Sequence, residues 1–372
     1  MEELLASRVR NLNVSGIRKI FNRAASIKDS INLSIGQPDF DVPKPVKEAA
    51  VRAISDGFNR YTMTGGITEL REGILQQVIA RCSVEPEHLF VTSGVSGGLL
   101  LAFMSLVDKG DEVLIPDPFF IVYKVLVEQF GGVPVFYNTY PDFRIRAEEL
   151  ESKITDRTKI IVVNSPQNPT GRRYTDEELK TLAAVASRHG LLVLSDEIYE
   201  RFTYEGAASS MLEYYANTVM LSGFTKSMGM PGWRIGYAAG PRAVVEKMET
   251  LQQFTFVCAP SPFQKACAET LDVDLDPIIE SYRRKRNMVY DGLKDRYRMV
   301  KPEGAFYFFI EVPWEGKTGT EFVEAAIERK LLLVPGGAFS TRDTHFRLSF
   351  AAPDETLERG IEALNEMAVE GK

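Results

Sequence analysis

Between about residues 88 and 240 the chain alternates short, nearly unbroken apolar runs with stretches of helical periodicity. The runs are HLFVTSG (88–94), DEVLIPDP (111–118), GVPVFYN (132–138), KIIVVNSP (159–166), LLVLSDEIY (191–199), TVMLSGF (218–224) and RIGYAAG (234–240). Most are rich in β-branched residues and close on Gly, Pro, Asp or Ser, the pattern of strands covered on both faces. Among the intervening segments, TDEELKTLAAVASRH (175–189) opens on Thr175 with Glu178 three residues later and stops at Gly190. That spacing predicts a helix with a capping box at its start and a glycine cap at its end. The alternation predicts an α/β fold whose large domain is a mostly parallel, seven-stranded sheet with helices on both faces. In such sheets a ligand site lies beyond the carboxyl ends of the strands.

After about residue 280 the pattern changes. A basic helical stretch, SYRRKRNMVYDGLKDRY (281–297), leads into GAFYFFIEV (304–312), a helix at about 320–330, LLLVPGG (331–337) and HFRLSFA (345–351). This reads as a smaller α+β domain. At 372 residues the chain is long for a single core, so two domains are expected. The division is an N-terminal segment (1–45), a large cofactor-binding domain (46–282) and a C-terminal segment (283–372), the first and last together making the smaller domain.

Composition narrows the function classes. A net charge of −7 leaves no basic footprint for nucleic acid or an anionic membrane, and the charges of 281–297 fit a solvated helix face. No apolar run approaches the roughly 18 residues that span a bilayer. The start, MEELLASRVRNLNVSG, is acidic with no apolar block, unlike a secretory signal. Three scattered cysteines (Cys82, Cys258, Cys267) argue against a disulfide framework and for a reducing cytoplasm. The three histidines, at 88, 189 and 345, have no metal-ligand spacing, and no metal is expected.

Candidate chemistry sits at the ends of the apolar runs. VTSGVSGG turns from a strand into an apolar helix near Val95, where backbone N–H groups and the Ser93 and Ser96 hydroxyls suit an anion such as phosphate. The turn lacks the Lys-Ser/Thr ending of a nucleotide P-loop. NSPQNPTG holds the Asn168 amide in a fixed direction, although Asn-Pro is also an ordinary turn starter. Asp196 ends a strongly apolar strand, where a carboxylate needs a partner, and Tyr199 follows it by three. Lys226, in SGFTKSMGMPGWRIGY (222–237), has no charged neighbour until Arg234. Its glycine-rich surroundings suit an amine held partly out of water, where it deprotonates more easily and can act as a nucleophile. A covalent lysine beside a phosphate site matches a phosphorylated aldehyde cofactor bound as a Schiff base.

The order and spacing of NLSIGQPDFDVP (32–43), RYTMTGGITELREGI (60–74), NSPQNPTG (164–171), SDEIYERF (195–202), SGFTKSMGMPGWRIGY, GAFYFF (304–309), LLLVPGGAFS (331–340) and FRLSFA (346–351) resemble the class I/II aminotransferases, pyridoxal-phosphate enzymes of fold type I. The resemblance runs from about Ile31 to about Ala352. It implies that Lys226 carries the pyridoxal 5'-phosphate and shuttles the substrate proton. Asp196 would keep the ring nitrogen protonated, and Asn168 and Tyr199 would hydrogen-bond the ring oxygen. Gly94, Val95, Ser96, Ser222 and Arg234 would belong to the cofactor site, with Arg234 on the phosphate, and Phe120 would stack on the ring. Arg347 would grip the substrate carboxylate with help from Asn168 and the Gly36 backbone. Tyr61 would reach the phosphate of the neighbouring subunit in a homodimer.

Three positions depart from the usual pattern. Val95 is bulkier than the common small residue, Phe120 replaces a tryptophan of some members, and Ser96 stands where an aspartate-specific subgroup has a lysine. The resemblance therefore implies amino transfer from an L-amino acid to a 2-oxo acid, with 2-oxoglutarate as the expected acceptor. Phe119, Phe120 and Tyr123 fit hydrophobic or aromatic donors and fit a packed core equally well. A β-lyase or related eliminating enzyme would share the cofactor chemistry, and its products, pyruvate and ammonia, would distinguish it. A non-catalytic cofactor-sensing regulator is the rival from another class. The DNA-binding segment of such regulators precedes the fold, whereas here the motifs begin within about 35 residues of the start.

Overall fold

The computed structural model describes residues 2–10, 27 and 29–370. Within the N-terminal segment assigned above to the smaller domain, residues 1, 11–26 and 28 lie outside the described residues. After a short strand β1 (Ile31–Asn32), each of the seven apolar runs forms a strand: β2 (His88–Ser93), β3 (Glu112–Asp117), β4 (Val133–Asn138), β5 (Thr158–Asn164), β6 (Leu192–Asp196), β7 (Thr218–Gly223) and β8 (Ile235–Gly240). They build one seven-stranded sheet in the order β2-β8-β7-β6-β5-β3-β4. It is parallel except at β8, which runs against both β7 and β2. Helices cover both faces, which is why β3 and β7 are buried along their whole length.

The helix Asp176–His189 shows how closely local sequence sets these boundaries. The Thr175 side chain accepts the Glu178 N–H, the Glu178 carboxylate accepts the Thr175 N–H, and Gly190 stops the helix at φ 64°. Its inward face, Leu179, Leu182, Val185 and Ala186, is buried against the sheet. Burial of each such leucine is worth about 1.5–3 kcal/mol, so Leu182→Ala would loosen this layer.

In the C-terminal part the strands are β9 (Tyr307–Glu311), β10 (Leu331–Leu332), β11 (Val334–Pro335) and β12 (His345–Ser349). The run LLLVPGG does not form a single strand. Leu331–Leu332 pair in parallel with β1, and after Leu333 the chain crosses to pair antiparallel with β12, which also pairs with β9. Every side chain from Leu331 to Val334 is buried, so the unbroken apolar run reflects a change of sheet rather than a two-sided strand. The basic helix starts earlier than its charges suggest, spanning Asp276–Leu293, and residues 282 and 283 lie within it. The helix predicted near 320–330 spans Gly319–Glu328.

Candidate active site

The carboxyl ends of β5 and β6, the loop after β7 and the first turn of the helix Gly94–Leu106 enclose a cavity of about 270 Å³. Gly36, Val95, Ser96, Phe120, Asn168, Asp196, Tyr199, Lys226, Arg234 and Arg347 all line it. Of the residues expected at the cofactor, Gly94, Ser222 and Tyr61 are not in this wall: Gly94 directly precedes Val95, and Tyr61 is the residue expected to serve the neighbouring subunit. The Ser222 hydroxyl donates to the Glu197 carbonyl 3.3 Å away, because Ser222 lies within β7, before the chain turns towards the cavity; Thr225 is the hydroxyl-bearing residue of this segment in the wall. Tyr61 is 82% exposed and outside this cavity.

Lys226 follows β7 in a tight loop closed by Met228 N–H to Phe224 O and Met230 N–H to Thr225 O. The loop packs on Phe40: Gly229 has φ +60°, and a Cβ there would lie 2.8 Å from both the Phe40 ring and its carbonyl. The Lys226 ammonium donates to Gly36 O at 2.7 Å and lies 5.9 Å from the centroids of both the Tyr199 and Phe306 rings. Burial, followed by the positive charges of Arg347 and Arg234, pulls its pKa down to about 8, against the opposing pull of Asp196. The amine opens on the cavity rather than on bulk water, so a neutral nucleophilic form is within reach at ordinary pH.

Asp196 closes β6 beside Asn164, its register partner at the end of β5. Its Oδ2 accepts the Tyr123 hydroxyl at 2.6 Å and its Oδ1 accepts the Ile198 N–H at 3.2 Å. Burial raises the carboxyl to about 6, while these hydrogen bonds and Lys226 favour the ionised form. Asn164 fixes the surrounding backbone: its amide donates to Asp196 O at 2.8 Å and its carbonyl oxygen accepts the Asn168 N–H at 2.8 Å.

Arg347 comes from the centre of β12 and is 1% exposed. Its guanidinium lies between the rings of Tyr307 and Phe339, 4.5 Å from each centroid. Nη1 donates to Asn168 Oδ1 at 3.0 Å and Nη2 to Ser34 O at 2.8 Å, whereas the buried Nε has no partner. Burial lowers its pKa, the cost expected of a charge kept ready for an incoming anion. The Tyr199 and Tyr307 hydroxyls meet at 3.0 Å.

At the other end, Gly94 (φ +66°) opens the helix Gly94–Leu106, and a Cβ there would lie 2.7 Å from Arg234 Nη2. Arg234 itself is left-handed (φ 57°) and is held by donation to Pro231 O at 2.9 Å. A side chain on Gly236 would meet the Gly94–Val95 backbone at 2.8–2.9 Å, so the glycine lets β8 bring Arg234 against the turn. Free N–H groups of a helix start beside a guanidinium suit a phosphate dianion.

Sequence reasoning passed over Tyr307 and Asn164 and left Tyr123 undecided between site and core. Asn164 could have been found by the rule that found Asp196, a polar residue ending an apolar strand. Tyr307 offers no such signal, because GAFYFF reads as uniform core.

Residues 28–364 match the family model for aminotransferase class I and II. The chain is 37% identical to a probable aspartate aminotransferase of Methanocaldococcus jannaschii, over 98% of this chain and 100% of that one. It is 35% identical to aromatic-amino-acid aminotransferase 2 of Thermococcus litoralis, over 99% of both. The aspartate aminotransferase of Thermus thermophilus with maleate superimposes with a TM-score of 0.93 at 34% identity, over 97% of this chain and 99% of that one. The chain belongs to the class I and II aminotransferases. As a member of that family it is a transaminase, and its cofactor is pyridoxal 5'-phosphate. The cavity fits that group: an amine of lowered pKa, a buried carboxylate and a helix-start backbone cradle beside the Arg234 guanidinium line one volume. Among the described residues no cluster of three or more His, Cys, Asp or Glu could hold a metal ion, and no helix is long and apolar enough to cross a membrane.

Proposed function

We propose that this aminotransferase takes an L-amino acid with an uncharged, hydrophobic or aromatic side chain as donor and 2-oxoglutarate as acceptor. The observation that carries the reading is Arg347. A guanidinium 4.5 Å from two ring centroids, in the wall of the cavity that holds Lys226, can take a carboxylate in a two-pronged grip through its terminal N–H groups. When bound, pyridoxal 5'-phosphate supplies an electron-accepting ring and an aldehyde that receives the amino group. Lys226 holds the cofactor covalently and moves the proton at the substrate α-carbon, for which a pKa near 8 suits it. Asp196, kept ionised by Tyr123, pairs with the ring nitrogen. Asn168 and Tyr199 orient the ring oxygen, Phe120 covers the ring, and Ser96, Arg234 and the Gly94–Ser96 backbone hold the phosphate. The Tyr307 ring in the wall, and a serine at position 96 where an aspartate-specific subgroup has a lysine, favour the uncharged donor. Aspartate is the second reading, favoured by the names of several relatives.

The reading includes a homodimer in which Tyr61 serves the neighbouring site. The loop carrying Tyr61 and Met63 is tied to the helices Arg242–Thr255 and Ser261–Glu269 through Gln252 and Ser261. Tyr61, Met63 and Phe254 of this region are 82%, 78% and 77% exposed, an apolar surface suited to a second copy. It further includes a cytoplasmic location, in keeping with three free thiols. The chain divides, on this reading, into a cofactor-binding unit (46–282) and a smaller one (1–45 with 283–372).

A screen of the twenty amino acids with 2-oxoglutarate tests the proposal. It expects glutamate and the matching 2-oxo acid in equal amounts, fastest with aromatic or aliphatic donors. Aspartate as the sole good donor would replace the first reading by the second, and pyruvate with ammonia would indicate an eliminating enzyme.

A further inference from the structure

The turn after β6 has two faces. Asp196 and Tyr199, three apart, face the active-site cavity, whereas the side chains of Glu197 and Glu200, also three apart, are drawn away from it. The turn is closed by Glu200 N–H to Glu197 O and Phe202 N–H to Tyr199 O. Both carboxylates end on one guanidinium: Arg81 Nη1 donates to Glu197 Oε2 at 2.8 Å, and Nη2 forms an ion pair with Glu200 Oε2 at 2.8 Å without hydrogen-bond geometry. Arg81 comes from the last turn of the helix Thr68–Cys82, more than a hundred residues earlier. Glu197, 1% exposed, also accepts from Ser195 Oγ and Ser210 Oγ, each at 2.8 Å, and its carbonyl accepts the Ser222 hydroxyl. Burial raises the Glu200 carboxyl, with Arg81 opposing it. Burial would lower the Arg81 guanidinium, but Glu200 and then Glu197 outweigh it and hold it above its usual value.

We propose that Arg81 is a positioning residue for the aminotransferase reaction, fixing Asp196 and Tyr199 by clamping the opposite face of their turn through Glu197 and Glu200. The inference rests on the reading of Asp196 and Tyr199 given above. A pair of charges buried only for stability could sit anywhere, but this one grips the two residues that interleave with Asp196 and Tyr199. Without Arg81, two buried carboxylates would repel each other and draw water or protons, and the turn would have to shift. The guanidinium remains reachable from outside. A cleft of about 720 Å³, walled by Arg81, Glu200, Arg201 and Arg283 among others, shares no wall residue with the active-site cavity.

That access permits a test by chemical rescue. Arg81→Ala is expected to lower kcat by about a hundredfold, the scale of a displacement of working groups by about 1 Å. Donor KM, set by Arg347, is expected to stay near wild type, and the apo-protein is expected to bind pyridoxal 5'-phosphate more weakly by equilibrium titration. Guanidinium chloride at tens of millimolar should restore both kcat and cofactor affinity in Arg81→Ala, while sodium chloride at equal ionic strength should not. Arg81→Lys keeps the charge but cannot span both carboxylates, so it covers the case in which Arg81→Ala fails to fold; an intermediate kcat and cofactor affinity are expected. Wild-type kcat and cofactor affinity in Arg81→Lys would overturn the proposal. So would a folded Arg81→Ala that loses only melting temperature, or one whose lost kcat guanidinium does not recover. Asp196→Asn separates the two levels. If it is impaired while the Arg81 variants are not, only this inference falls; if it is as active as wild type, the underlying reading falls.

Discussion

The Tyr123 hydroxyl donates to Asp196 Oδ2 across 2.6 Å, and both groups are buried. Burial alone would push the carboxyl well up; this bond is the largest influence holding it down to about 6. Tyr123→Phe should therefore raise the Asp196 pKa further in the apo-protein, so the pH dependence that Asp196 gives to apo-protein melting should move to higher pH. A hydrogen bond to a charged group is worth about 1.5–3 kcal/mol, so cofactor affinity should fall by roughly ten- to a hundredfold. An unmoved melting profile with unchanged affinity would take Tyr123 out of the mechanism.

Asp196→Asn should stall removal of the substrate α-proton while the protein still binds some cofactor, as stopped-flow absorbance can follow. The apo-protein offers a second readout. The folded-state pKa of about 6 lies above the ordinary aspartate value of 3.8, so between these values the native state binds more protons than the unfolded one. Wild-type stability is therefore lost as pH rises through that window, and the loss is complete above it. The melting temperature of apo Asp196→Asn relative to apo wild type should climb from about pH 4 to about pH 6 and then level off. A flat difference across that range would contradict the assignment.

Lys226 should react with an amine-directed reagent in the apo-protein along a titration centred near pH 8, while surface lysines need far more alkaline conditions. Peptide mass spectrometry separates the two classes. In the holoenzyme, borohydride should fix the cofactor to the peptide containing Lys226. Lys226→Ala should lose multiple turnover by several orders of magnitude. Near-normal turnover in that variant is incompatible with the proposed role.

Arg347→Lys keeps a positive charge but not the two-pronged geometry, nor the planar stack between Tyr307 and Phe339. KM for both amino acid and 2-oxo acid should rise by roughly ten- to a hundredfold, equivalent to about 1.5–3 kcal/mol, with the cofactor spectrum intact. Steady-state kinetics in both directions decides it, and normal KM values would place carboxylate binding elsewhere.

The proposed shared-site dimer is open to test by complementation. Mixing Lys226→Ala with Tyr61→Phe should make about half the dimers mixed, each with one intact site, so activity at limiting cofactor should approach about a quarter of wild type. Lys226→Ala mixed with Arg347→Ala should recover nothing, since both residues line one cavity of one chain. Recovery in that control, or none with Tyr61→Phe despite demonstrated subunit exchange, would refute the arrangement.

Legibility from sequence followed how locally each feature is specified. The strands were readable because burial on both faces demands an unbroken apolar run, and the helix Asp176–His189 because Thr175, Glu178 and Gly190 specify its ends within its own sequence. Lys226 and Asp196 were readable because a charge beside such a run is conspicuous. Tyr123 and Tyr307 were not, since a tyrosine among apolar neighbours looks the same whether its hydroxyl meets Asp196, Tyr199 or water. Arg81 is harder still. It is one arginine on a helix with several charged residues, and its partners are set by tertiary packing alone.

The reversed direction of β8 has a consequence of its own. The parallel strands β5 and β6 deliver their last residues, Asn164 and Asp196, to the site, but β8 brings Arg234 there just before its beginning, directly after the loop that carries Lys226. One short loop therefore supplies a grip for each end of the ligand, and the gap between them is set by that loop rather than by the docking of distant elements. It acts as a gauge of length: a ligand that reaches only one grip is held by half the site, so lengthening the loop by one residue should change which ligands fit while leaving the sheet untouched.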